Sequence, residues 1–209
     1  MVAARKLSAR KEPRQERSKD TVGNILRAAA RILTRDGYEG ATTNRIAEVA
    51  GVSVGSLYQY FPNKDSIVAA LIDDHCEEMF EVFRKELASL AGADLETAAR
   101  GVVAAQVEAH KVNPKLHRVF LEQLPKVGML ERFHEINRRS ELLVRTYLES
   151  RRDEIRPANL DLAAFLLVTA VEAVTHAAVL GRGEQLEASD FIDEVATLCV
   201  KYLDGRGGR

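Results

Sequence analysis

Apolar positions along this chain recur at three- and four-residue intervals almost throughout, and no stretch alternates as a strand does. Val22, Ile25, Leu26, Ala29, Ile32 and Leu33 make one stripe, and Gly37 is placed to close that helix as a C′ glycine. Two short helical segments follow, 43–50 and 53–60, before Pro62 forbids continuation. Asn63 then offers an N-cap to a long helix reaching about residue 90, with Val68, Leu71, Ile72, Met79, Phe83 and Leu87 facing inward. Further helices are predicted over 94–112, over 113–124 from the cap-and-proline pair Asn113-Pro114, and over 129–151. The last two are 160–180, apolar nearly all round, and 189–203, with the stripe Phe191, Val195, Leu198 and Tyr202. The spacing predicts an all-α chain of about nine helices with short connections.

Composition changes this picture little. The 209 residues are 46% hydrophobic and 29% charged, ordinary for a soluble globular protein. Cys76 and Cys199 are too few and too far apart for a disulfide framework or zinc site, and read as small core residues in a reducing cytoplasm. The basic, polar N-terminus with no apolar stretch after it does not read as a secretory signal. Segment 160–180 contains Glu172 and His176 and is interrupted by Thr169 and Thr175, so a buried or interface helix explains it better than a membrane span.

Charge changes it more. The formal net charge is −1, yet residues 1–19 hold seven lysines and arginines against two glutamates. A cationic arm on an acidic body fits a polyanion reached by one end only, with Arg14 and Arg17 as candidate contacts.

The most informative segment is TTNRIAEVAGVSVGSLYQYF, residues 42–61. Two short helices crossing steeply need a small residue where they touch, supplied by Ala47, and a left-handed turn residue, supplied by Gly51. Ile46, Ala50, Val52 and Leu57 point inward, and Ser53 can cap the second helix. That leaves Val54, Gly55, Ser56, Tyr58, Gln59 and Tyr60 facing outward. The hydroxyls of Thr43, Ser53, Ser56, Tyr58 and Tyr60 suit phosphate oxygens. Gln59 and Arg45 suit base edges, and Lys64 a flanking phosphate. Gly55 costs a helix about 1 kcal/mol relative to alanine, a cost with a use if DNA approaches the backbone there.

The run ILRAAARILTRDGYEGATTNRIAEVAGVSVGSLYQYFPNKDSIV resembles the DNA-binding domain of the TetR family of transcriptional regulators over about a quarter of the chain. The resemblance implies a three-helix head with a helix-turn-helix, a larger helical body holding a ligand pocket, and a homodimer built largely by the last two helices. By motif position, Thr43, Ser53, Val54, Gly55, Tyr58, Tyr60 and Lys64 correspond to the family's usual DNA contacts. One departure is the absence of lysine and arginine between Ser53 and Phe61, which shifts affinity toward the arm and Arg45. The expected organisation is a basic flexible arm over 1–18, a DNA-binding domain over 19–66, and an effector-binding and dimerisation domain over 67–204.

An apolar face on 160–180 needs cover, and a second copy joined through 160–180 and 189–203 supplies it. Glu172 and His176, one turn apart, read either as a hydrogen-bonded pair across that seam or as polar anchors of an effector pocket. Met79, Phe83, Phe120 and Phe133 are the apolar candidates for its lining. Glu131 and His134 have the Glu-x-x-His spacing of helical di-iron proteins, but no second copy occurs, and a solvated face is the expectation. No catalytic constellation, metal or cofactor is expected. The predicted partners are double-stranded DNA, a second copy of the chain and a small-molecule effector, with no membrane. The predicted function is a repressor released by its ligand from a palindromic operator. A ligand-responsive activator, and a non-DNA-binding helical dimer acting as enzyme or scaffold, are the alternatives.

Overall fold

A computed structural model describes residues 16–181 and 190–204. Arg14, the side chain of Arg17, and the expected turn at 181–183 beyond Gly181, together with Ser189, lie outside the described residues. Among those described there are nine helices and no β-strand, only an isolated bridge between Ile155 and Asp204. The helices are α1 (Glu16–Gly40), α2 (Thr43–Ala50), α3 (Val54–Tyr60), α4 (Lys64–Ser89), α5 (Leu95–Lys111), α6 (Pro114–Gln123), α7 (Leu130–Glu149), α8 (Leu160–Gly181) and α9 (Phe191–Leu203).

Local chemistry sets the boundaries. Gly37, at φ 69° and ψ −174°, breaks α1 inside its last turns. Asn63 caps α4 by accepting from the Ser66 amide at 2.8 Å, and Asp94 caps α5 by accepting from the Thr97 amide at 2.8 Å. Pro114 opens α6 where its missing N–H costs nothing.

The chain forms two compact units. The first comprises residues up to His75 with Lys115–Arg132, and therefore holds α1–α3, the first part of α4, and α6. Its core is the sealed set Ile25, Ile32, Leu33, Ile46, Leu57, Phe61 and Ile67. Burying each such side chain contributes about 1.5–3 kcal/mol. The second unit comprises Cys76–Pro114 and residues from Phe133 onward. One of its cores joins Val103 and Val107 of α5 to Ala178 and Val179 of α8 and Val195 of α9. Another gathers Leu148, Ile155, Leu160, Ala163 and Leu203.

Helix α8 is long and apolar enough by composition to cross a membrane. Here Ala163, Ala164, Thr175, Ala178 and Val179 are buried in the second unit's own packing. Its opposite side is exposed: Leu162, Phe165, Leu166, Val174 and Leu180 are each at least 40% accessible, and Leu198 of α9 is 56% accessible.

Candidate nucleic-acid interface

The α2–turn–α3 segment is assembled from short-range contacts. Thr42 caps α2 by accepting from the Arg45 amide. Gly51 adopts φ 69°, ψ 29°, its N–H turned back to α2, and the Val52 amide donates to the Ala47 carbonyl at 3.0 Å. A Cβ at Gly51 would meet nothing within 4 Å, so backbone conformation and not space requires glycine there. Ser53 caps α3 by accepting from the Ser56 amide at 3.0 Å, and the two serine hydroxyls bond at 2.8 Å.

The surface of α3 is Val54, Gly55, Tyr58 and Gln59, all exposed, with Ser56 half-buried and Ser53 exposed at the cap. Tyr60 does not belong to it: it is 9% accessible. The outward assignment of Tyr60 is thus corrected. Three residues after the sealed Leu57, it falls on the same inner side of the helix. The Tyr58 hydroxyl shares a 3.0 Å hydrogen bond with Thr43 Oγ1, which fixes the ring's outer end across the two helices. At Gly55 the nearest atom to a built Cβ is Ser53 Oγ at 3.8 Å, so the chain's own packing does not demand glycine.

Arg45 and Lys64, the basic candidates among the described residues, are held by α1. Arg45 pairs with Asp36 Oδ2 at 3.0 Å and donates to the Gly40 carbonyl at 3.1 Å. Lys64 donates to the Tyr38 carbonyl at 2.8 Å with its ammonium 3.7 Å from that ring's centre, while the Tyr38 hydroxyl donates to the buried Asp65 carboxylate. The end of α1 beyond Gly37 is gripped from α2 by Arg45 and from α4 by Lys64 and Asp65. Asp36 and Tyr38 were not singled out in the sequence, and Asp65 only as a first-turn acid of α4; their partners lie 9 to 27 positions away, beyond any local pattern.

The body candidates divide. Phe120 is buried in the first unit, its ring 5.3 Å from that of His75. Met79, Phe83, Phe133, Glu172 and His176 belong to the second, where Phe83 is buried and Met79 half-buried. Two of the α8 residues meet α7 in antiparallel rungs. The Glu172 carboxylate accepts from Asn137 Nδ2 at 2.7 Å, and the His176 ring lies 6.2 Å from that of Phe133. From α5, the His110 ring stands 5.3 Å from that of His176, and His110 Nδ1 is 2.7 Å from the Gln106 carbonyl. Both residues of the α8 pair are therefore engaged within their own chain. Burial raises the Glu172 carboxyl from 4.5 to about 7, with neighbouring Glu141 adding to the rise and Asn137 opposing it. Burial also lowers His110, against its backbone hydrogen bond. Asn137 and His110 sit on apolar stripes, with Phe133 and with Val103 and Val107, and polar residues at such positions were the signal available to find them.

A capped pair of short helices joined at a left-handed glycine, with an exposed tyrosine and glutamine on the second helix, defines a helix-turn-helix protein. The family description "Bacterial regulatory proteins, tetR family" matches residues 25–71, and "Tetracyclin repressor-like, C-terminal domain" matches residues 94–203. The chain belongs to the TetR family. The HTH-type transcriptional repressor KstR2 of Rhodococcus jostii is 27% identical over 109 residues, and the chain spans about half the length of that curated relative (52% of each chain). A TetR-family transcriptional regulator from Mesorhizobium loti superposes with TM-score 0.70 at 20% identity, over 91% of this chain and 100% of that one. The fatty acid degradation regulator FadR of Bacillus halodurans superposes with TM-score 0.68 at 18% identity, over 95% and 100%. At such identities the two structures establish the shared helical fold. The matched families and relatives are regulators of transcription, not enzymes.

Proposed function

We infer that this chain is a homodimeric transcriptional repressor that grips a roughly palindromic operator with two α3 helices and releases it on binding a small molecule. The observation carrying this reading is the α3 surface: Val54, Gly55, Tyr58 and Gln59 are exposed, Tyr58 is braced by Thr43, and no internal contact requires glycine at 55. In this reading Thr43, Ser53, Ser56 and Tyr58 hold phosphates, Gln59 reads a base edge, and Val54 and Gly55 allow close approach. Arg14 and Arg17 add charge from the arm. Arg45 and Lys64 brace the head through their α1 partners and offer their remaining N–H donors to flanking phosphates.

The exposed apolar side of α8, with Leu198 of α9, supports a two-fold interface between copies, because such a surface is stable in water only when covered. Two heads so joined reach successive major grooves about 34–36 Å apart. The α5–α7–α8 cluster supports an effector site in the second unit. Helix α4 contributes residues to both units and serves as the lever by which effector binding shifts head spacing.

Gel-shift titration on DNA adjoining the protein's own gene tests this. Wild type should bind with a steep salt dependence, and Tyr58→Ala should weaken binding at least about tenfold with the helical circular-dichroism signal unchanged, as expected for a lost phosphate or stacking contact. Equal binding by the variant would remove α3 as the contact surface.

A further inference from the structure

The polar cluster of the second unit has an unusual balance of hydrogen-bonding groups. Glu172 is set in the apolar helix α8, and among the described residues its hydrogen-bond partner is a single side-chain amide, Asn137. Among the described residues, the charge that bears on it is another carboxylate, Glu141. One turn before His110 on α5, the Gln106 side-chain carbonyl is sealed from solvent with no hydrogen-bond donor. One turn along α8 from Glu172, the His176 ring lies beside those of Phe133 and His110. A partly buried carboxylate with one amide partner is costly to keep ionised unless it takes up a proton or a positive ligand.

We propose that this cluster is the seat of an effector with an apolar body and a protonated amine head, the ammonium resting on Glu172, one turn from His176 and its neighbouring rings. The assignment rests on the effector-responsive reading above and specifies the chemistry of its ligand. An ammonium supplies the missing positive charge and three N–H donors, and ring faces favour cations. A carboxylate-headed ligand meets Glu172 and Glu141 with like charge. The raised pKa of Glu172 fits such a seat, since a proton occupies the place of the cation until the ligand arrives.

Isothermal titration of the full-length protein with octylammonium, octanol and octanoate at pH 8 tests the proposal, the three probes sharing one chain and differing in head. Octylammonium should bind at least about tenfold more tightly than octanol, and octanoate most weakly, a tenfold step being about 1.4 kcal/mol. Glu172→Gln, which keeps the side chain's shape and its bond to Asn137, should abolish the preference for octylammonium over octanol. At pH 6, seating the ammonium should expel the carboxyl proton, and wild-type titrations in two buffers of different ionisation enthalpy should read a release of about one proton that octanol does not cause. The titratable neighbours Glu141, His110 and His176 remain in the variant, so loss of the release in Glu172→Gln assigns it to Glu172. The proposal is overturned by octanoate or octanol binding as tightly as octylammonium, by no octylammonium binding at millimolar concentration, or by a preference that survives Glu172→Gln. Octylammonium bound through Glu172 without effect on operator affinity would keep the ligand class and sink the effector coupling; an absence of operator binding altogether would sink the regulator reading alone.

Discussion

The head and the second unit treat their polar groups in opposite ways. Around α2 and α3 the hydroxyls and charges close on one another: Ser53 with Ser56, Thr43 with Tyr58, Arg45 with Asp36, Lys64 with Tyr38. In the second unit Gln106 keeps a sealed carbonyl without a donor, and Glu172 leans on one amide. A duplex offers a stiff, repeating surface, so a head complete before contact loses little freedom on binding. A ligand site has to leave capacity open for what it will hold. The single partner of Glu172 leaves that capacity where the small molecule is proposed to go.

The largest test of that difference is pH. In an unfolded chain Glu172 titrates at its ordinary 4.5; burial raises it to about 7 in the fold. The native state thus holds the proton more tightly, and its contribution to stability is complete below 4.5, declines as pH rises, and is gone once pH passes about 7. Glu172→Gln carries no charge to desolvate. At pH 8 the variant should exceed wild type in stability by on the order of 2–3 kcal/mol, and at pH 4.5 the two should nearly coincide. Urea midpoints at both pH values check this. A difference independent of pH would show that Glu172 is not strained by burial.

A smaller effect belongs to the joint between α1 and α4. Tyr38→Phe keeps the ring under Lys64 and the carbonyl it donates to, and removes the hydroxyl donated to Asp65. Stability should fall by about 1–2 kcal/mol, the cost of leaving a buried carboxylate short of a donor. A packing role alone predicts nothing more. A brace that fixes the head on α4 predicts that the variant also discriminates less against operators lengthened by one base pair between half-sites. Wild-type discrimination in Tyr38→Phe would reduce this contact to plain packing.

How much of this the sequence made legible follows the same division. The helices were readable because apolar spacing, Asn63, Asp94, Pro114 and Gly51 act locally. The exposed side of α3 was readable except at Tyr60, where treating α3 as outward apart from Leu57 overlooked that a helix of about two turns buries a second residue one turn on. The brace was not readable, because Tyr38 meets Lys64 and Asp65 across 26 and 27 positions. Nor was the partner of Glu172. Asn137 lies 35 positions away, and only the fold shows that the α8 pair is engaged by its own chain.

The smallest change tests the head's completeness most directly, because its two effects carry opposite signs. Gly55 lies in the first turn of α3, exposed, with 3.8 Å of clearance to the nearest atom from a built Cβ. Gly55→Ala should therefore stabilise the free protein by about 0.5–1 kcal/mol, through the lost backbone freedom of the unfolded chain and better helix propensity. A packing explanation of the glycine ends there. If the position is kept open for a duplex, the same methyl group stands between α3 and the groove, and operator affinity should fall while thermal stability rises. Stability and affinity rising together would show that α3 does not approach DNA at this point, and would move the contact surface toward Tyr58 and Gln59.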